Sequence, residues 1–280
     1  MRCLFTFMLS FFLTLSLFGQ DSVSTVKKTP FILGETVELH SKVLAEKRVL
    51  NIYLPAEYNP SDSVQYPVVY LLDGSVDEDF IHIAGLLQFA NFPWVNLFPN
   101  SILVGIANTD RRRDFTYPTT IGKDRKDFPT TGGSKNFIRF IGEELQPFIQ
   151  REYKTTSSKT IIGQSLGGLL ATEILFKKPE LFTHYIIVSP SLWWDKESLL
   201  KIQPKVVSSG FRAPVSVAVA VGKEGPVMEA DSRQLVSLLR KSQKKNLKVS
   251  FQYFPAEDHG TILHKAVYWG FEVMHPKPKK

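Results

Sequence analysis

Cysteine is all but missing from this chain of 280 residues; Cys3 is the single one. With it removed or left alone there is no disulfide framework, no thiolate metal site and no cysteine nucleophile in the body of the protein. Long apolar runs are missing too. Residues 3–18 are apolar with only small polar interruptions, but they are too few and too isolated for a stable membrane span. Arg2 precedes the run and Gly19-Gln20-Asp21 breaks it, so residues 1–19 read as an export signal, with no stable membrane insertion once it is removed. Blocks of like charge are also absent. The net charge is +7, yet Arg111-Arg112-Arg113 has acids nearby and Lys277-Pro278-Lys279-Lys280 sits at the terminus. Dispersed charge of this kind argues against a nucleic-acid partner. No internal repeat is present, and the oligomeric state is not readable.

What remains is ordinary for a protein with a substantial core: 43% hydrophobic and 22% charged residues. After a polar, flexible leader over residues 20–34, the pattern fits one large domain over residues 35–275, followed by a basic tail over 276–280. Residues 36–41 and 48–54 alternate apolar with polar and predict antiparallel strands at one edge of a sheet. Continuous apolar runs at residues 67–72, 101–106, 184–189 and 215–222 predict buried strands, and residues 247–254 predict a further one. Helical patterns fall at residues 80–92, 136–149, 227–244 and 261–271, with Pro147 expected to kink the second. Strands alternate with helices from Pro67 onward. That order predicts an α/β protein whose mostly parallel central sheet carries helices on both faces. The charged segment 108–133 reads as a long loop, either rimming a site or simply solvated.

The chemistry gathers at Gly163-Gln164-Ser165-Leu166-Gly167, which follows a β-branched run and opens a helix-like one. A strand–Gly-x-Ser-x-Gly–helix order is the pattern of a nucleophile elbow, which lifts a serine hydroxyl clear of the sheet on a crowded turn that glycine relieves. The amide of Leu166 at the helix start can face a developing oxyanion, and amides near Gly74 and Ser75, at the end of strand 67–72, are candidates for the other half of that hole. A serine nucleophile needs a base and the base an orienting acid. His184, His259, His264 and His275 follow Ser165, and only His259 lies in a loop directly after the last predicted strand. For the acid, Glu224 projects from a strand end, Asp231 lies in the next helix, and Asp258 adjoins the histidine awkwardly. A dyad without an acid stays open. Trp193 and Trp194, just past a strand end, together with Tyr117, are candidates to line a pocket for an aromatic or hydrophobic group, or else to anchor the core.

These motifs, with Ile52-Tyr53-Leu54-Pro55, Tyr70-Leu71-Leu72-Asp73-Gly74, Asn108-Thr109-Asp110-Arg111-Arg112-Arg113-Asp114, Glu143-Glu144-Leu145-Gln146-Pro147-Phe148-Ile149, Ser189-Pro190-Ser191-Leu192-Trp193-Trp194 and Asp258-His259-Gly260, carry a resemblance. The chain resembles the putative-esterase branch of the α/β-hydrolases, which holds enterobactin-type siderophore esterases, feruloyl and acetylxylan esterases, esterase-D thioesterases and mycolyltransferases, and within it the siderophore-esterase-like members above all. The resemblance covers residues 35–269. It implies the α/β-hydrolase fold, Ser165 as nucleophile, His259 as base and an acid near Gly222-Lys223-Glu224. The expected function is ester hydrolysis through an acyl-enzyme on a small-molecule siderophore or carbohydrate ester, in the periplasm or outside the cell, with no metal or cofactor. Acyl transfer to a sugar or lipid alcohol, and a non-catalytic binding module, are the rival readings.

Overall fold

The computed structural model describes residues 26–276. The chain divides into two units, Met1–Ile32 and Leu33–Lys280. Residues 26–32 have no regular secondary structure, and the export signal read at residues 1–19 and the tail beyond residue 276 lie outside the described residues. The second unit holds the sheet and the candidate site.

Eight strands form one sheet: β1 (Glu35–Ser41), β2 (Glu46–Tyr53), β3 (Tyr66–Leu71), β4 (Ile102–Ile106), β5 (Thr155–Gln164), β6 (His184–Val188), β7 (Val215–Gly222) and β8 (Leu247–Phe254). Their spatial order is β1-β2-β4-β3-β5-β6-β7-β8. β2 is antiparallel to both of its neighbours, and every other pairing is parallel. The alternating segments expected at one edge are therefore that edge, and the continuous apolar runs are the interior strands. Alternation of side chains across the pleat explains why those runs must be apolar throughout. Val68, Tyr70 and Leu72 enter the core on one face, whereas Val69 and Leu71 enter the core on the other. The first face is covered by Leu166–Lys177, Pro226–Lys241 and the helical stretch from Ser134 to Glu152; the second by Phe80–Asn91 and Leu263–Met274.

The chain leaves β3 for β4 on one side and later returns to β5 on the other. Such a reversal opens a crevice at the carboxyl ends of the two strands that part there. Asp73-Gly74-Ser75 follows β3 and Ser165 follows β5, so both loops meet at that crevice. The stretch from Ser134 to Glu152, where a kink at Pro147 is expected, widens into a π-turn at Ile141–Leu145 directly ahead of the proline, and the backbone stays helical through Leu145 into the helix Gln146–Glu152. A π-turn is one way a helix takes in a residue that cannot complete the regular hydrogen-bond ladder.

Residues 108–133 are not a structureless loop. Arg111–Phe115 and Gly122–Asp127 are short helices. Asp110 caps the first by accepting the Arg113 amide at 3.0 Å. The buried Arg48 guanidinium bonds Asp114 at 2.6 Å and ties this segment to β2.

Candidate active site

Ser165 stands between β5 and the helix Leu166–Lys177 with φ 59° and ψ −120°, a conformation that residues other than glycine rarely adopt. A tight turn of this kind needs close backbone approach. A Cβ on Gly163 would lie 2.4 Å from the Gly167 carbonyl oxygen, and one on Gly168 would lie 2.9 Å from Pro190 Cα. Gly167 is under less pressure, since its nearest contacts would be at 3.4 Å. The crowding thus falls on the first glycine of the motif and on the glycine just past it. The Ser165 amide donates to the Val188 carbonyl at 3.0 Å, which ties the turn to the end of β6.

His259 comes from the loop after β8 and Glu224 from the loop after β7, and parallel pairing of those strands brings them together. His259 Nδ1 lies 2.5 Å from Glu224 Oε2. The other Glu224 oxygen accepts the Gly222 amide at 3.0 Å and the Ser189 hydroxyl. Burial pushes the Glu224 carboxyl up, but hydrogen bonds from His259, Ser189 and Gly222 outweigh it and hold the group below the usual carboxylate range. Lys223 donates its amide to Glu257 at 2.7 Å, and Gln164 donates its side chain to the His259 carbonyl. The histidine loop is therefore fastened both to the end of β7 and to the residue before the serine. Ser165, Glu224 and His259 line one groove of about 470 Å³ with Ser191, Trp193, Lys223, Met228 and Asp258.

The other candidates do not bond to His259. Asp258 caps its own loop, accepting the amides of Gly260 at 2.9 Å and Thr261 at 3.1 Å. Asp231 is buried on the helix Pro226–Lys241, where burial and then Glu197 raise its carboxyl pKa. His184 stacks on His275, and burial drives its pKa down to about 4. His264 packs against His82.

Three expectations need correction. The Gly74 amide donates to the Ile106 carbonyl at 3.0 Å, so it is not free to face an oxyanion. Gly74 is there because β4 passes so near: a Cβ on it would lie 2.4 Å from Gly105 Cα. The amides of Ser75 and Leu166 make no hydrogen bond among the described residues. Trp194 does not line the groove. It is fully buried and donates its indole N–H to Tyr117 at 2.9 Å. Tyr117 is buried with it, its hydroxyl donating to the Trp194 carbonyl at 3.3 Å and accepting from Ser198 at 3.2 Å. Only Trp193 of the three aromatics reaches the groove.

Several contributors were not singled out from sequence: Ser189, Ser191, Gln164 and Arg111. Arg111 grips Asp73 through two bonds of 2.6 and 2.9 Å and reaches the Gln164 carbonyl at 3.4 Å, so it links the loop after β3 to the elbow. Their signal was position alone, just beyond strand ends or inside the quoted motifs.

The chain matches the family described as "Putative esterase" over residues 41–278. It belongs to that family. It is 31% identical to the ferri-bacillibactin esterase BesA of Bacillus subtilis, over 78% of this chain and 82% of the relative. Among solved structures it resembles an IroE-like serine hydrolase from Shewanella oneidensis, with 31% identity, a TM-score of 0.79 and coverage of 86% of this chain and 80% of that one. It also resembles the BES protein from Bacillus cereus, with 27% identity, a TM-score of 0.77 and coverage of 89% and 97%. The chain is a serine esterase of the α/β-hydrolase fold. Among the described residues no helix is long and apolar enough to cross a membrane.

Proposed function

We propose that this esterase hydrolyses a siderophore ester with Ser165 as nucleophile, His259 as general base and Glu224 as orienting acid. The observation that carries the reading is the 2.5 Å contact between His259 Nδ1 and Glu224 Oε2 in the groove that Ser165 also lines. Glu224 holds the Nδ1–H tautomer, which turns Nε2 into the proton acceptor. His259 takes the Ser165 proton as Oγ attacks the ester carbonyl, and the oxyanion faces the free amides of Leu166 and Ser75. The imidazolium then protonates the leaving alcohol, and water, activated the same way, releases the acid. His259 is about half exposed, with 47% of its side chain open to solvent, so water has a path to the acyl-enzyme.

A siderophore substrate is supported by the likeness to a ferri-bacillibactin esterase along most of both chains. The apolar run at residues 3–18 supports an exported enzyme. Fluorophosphonate labelling with peptide mapping tests the site: the adduct is expected on Ser165 and absent from Ser165→Ala. Full turnover by that variant would sink the assignment. The substrate is tested by comparing kcat/KM for a ferric siderophore trilactone, a feruloyl ester and an acetylated sugar. The siderophore is expected to lead, and a larger value for either sugar-type ester would redirect the reading.

A further inference from the structure

The turn Ser189-Pro190-Ser191 joins β6 to the segment that carries Trp193, and its two hydroxyls touch opposite ends of the proposed triad. Ser189 is fully buried with φ 42°, and its amide donates to the Ala220 carbonyl at 2.8 Å. That bond pins it beside the end of β7, where its hydroxyl donates to Glu224 Oε1. Ser191, 3% exposed, donates its amide to the Ser165 carbonyl at 3.0 Å and sets its Oγ 3.2 Å from Ser165 Oγ. Between them Pro190 packs against Gly168, which fixes the turn to the elbow helix. Two short side chains on one rigid turn thus reach the acid and the nucleophile, which come from different strand ends.

We infer that this turn sets the geometry of both ends of the triad, with Ser189 positioning Glu224 and Ser191 donating a hydrogen bond to the reacting oxygen of Ser165. The inference rests on the proposed triad. A Ser191 hydroxyl that donates leaves the Ser165 proton free for His259, and it keeps a partner once Ser165 Oγ has become an ester oxygen, which can only accept. In the second half-reaction the bond from the acyl carbon to Oγ breaks, the electron pair goes to Oγ, and the imidazolium returns its proton there. A donor already aimed at Oγ stabilises the charge that gathers on it. Ser191 therefore matters most for deacylation. Ser189 is one of three donors on a buried carboxylate, alongside His259 and the Gly222 amide. Without it Glu224 holds the imidazole less firmly.

The test uses the full-length enzyme with a chromogenic acetyl ester followed before the steady state. Ser191→Ala is expected to lower kcat by about tenfold, the size of one charge-assisted hydrogen bond, while KM falls with it and a burst of the released phenol grows. A structural lesion would lower the burst as well. Ser189→Ala is expected to cost about tenfold in kcat/KM in the parent enzyme and almost nothing in a Glu224→Gln background. Ser189→Gly removes the same hydroxyl while tolerating the positive φ, and is expected to behave alike. If Ser165 takes the fluorophosphonate label normally, and the Ser191 and Ser189 variants keep their burst and kcat/KM within about twofold, the inference is wrong and the esterase assignment stands. If Ser165 takes no label, both fall.

Discussion

The groove at Ser165 and a larger cavity beside Tyr117, about 610 Å³, differ in how their polar atoms are used. In the groove the polar atoms hold one another: Ser189 and Gly222 on Glu224, Glu224 on His259, Ser191 on Ser165. Around the cavity, Ser134 Oγ and Glu173 Oε2 are buried without a partner, and Lys177 takes only the other Glu173 oxygen. None of Ser165, Glu224 or His259 lines it. Volume alone would have chosen the other place. What marks the smaller site is convergence: side chains from the ends of β5, β6, β7 and β8, each held by another. A network so connected fixes geometry, whereas an isolated buried polar atom only costs stability.

The contrast breaks most easily at the acids. Glu224→Gln is expected to lower turnover by about ten-thousandfold, by analogy with the loss of the orienting acid in other triads. Asp231→Asn, one helix away, should leave kcat/KM within about twofold. Equal losses at both positions, measured on one ester, would erase the distinction between them.

The adjacent tryptophans sharpen it next. Trp194→Ala should cost about 3–5 kcal/mol of stability in denaturant titration, because it empties a fully buried site and strips the Tyr117 carbonyl of its donor. Trp193→Ala should shift KM, differently for aryl and acetyl esters, at a cost below about 1 kcal/mol in the same titration. A reversal of the two outcomes would put the wrong ring in the groove.

The smallest effect concerns the loop that carries Ser75. Asp79 sits at the start of the helix Phe80–Asn91 without a side-chain capping bond. Burial, Asp73 and Glu78 push its pKa up to about 6 against the relief from Arg111. A raised carboxyl pKa favours the protonated form in the fold, so stability is lost as pH rises from 3.8 to about 6 and stays lost above. Asp79→Asn should therefore raise the melting temperature at pH 7.5, by the equivalent of about 1 kcal/mol after allowance for solvent screening, and change nothing below pH 3.5 or so. A gain that persisted at low pH would assign the effect to packing instead.

How much of this was legible beforehand follows the range of the forces involved. β3, β4, β6 and β7 could be read because strands buried on both faces are apolar at nearly every position, whereas β5 showed only its last, β-branched part before the elbow. The pair His259 and Glu224 could be read because each lies just past a strand end. Which of the two tryptophans anchors the core could not. That depends on the turn after Trp194, where Asp195, Lys196 and Glu197 all have positive φ and the Asp195 carboxylate accepts the Thr120 amide at 2.7 Å, 75 positions away. The loss of the Gly74 amide to Ile106 was equally hidden, since it requires knowing that β4 lies against the end of β3. The short helices after residue 110 escaped because charged sequence with no apolar period gives helical periodicity nothing to show. The hydroxyls of Ser189 and Ser191 sat in a quoted motif, but nothing local says what a serine side chain will meet.

The pairing of β7 with β8 has a consequence for how the protein comes into being. His259 hangs on the loop after the last strand, so the groove does not exist until nearly the whole chain has emerged from the ribosome. A chain stopped before residue 247 lacks the histidine, and it also leaves the alternating valines of β7 as a bare sheet edge, a template for pairing with other chains. With His259 as the proposed base, incomplete copies would be both inert and sticky, which gives a cell two independent reasons to clear them.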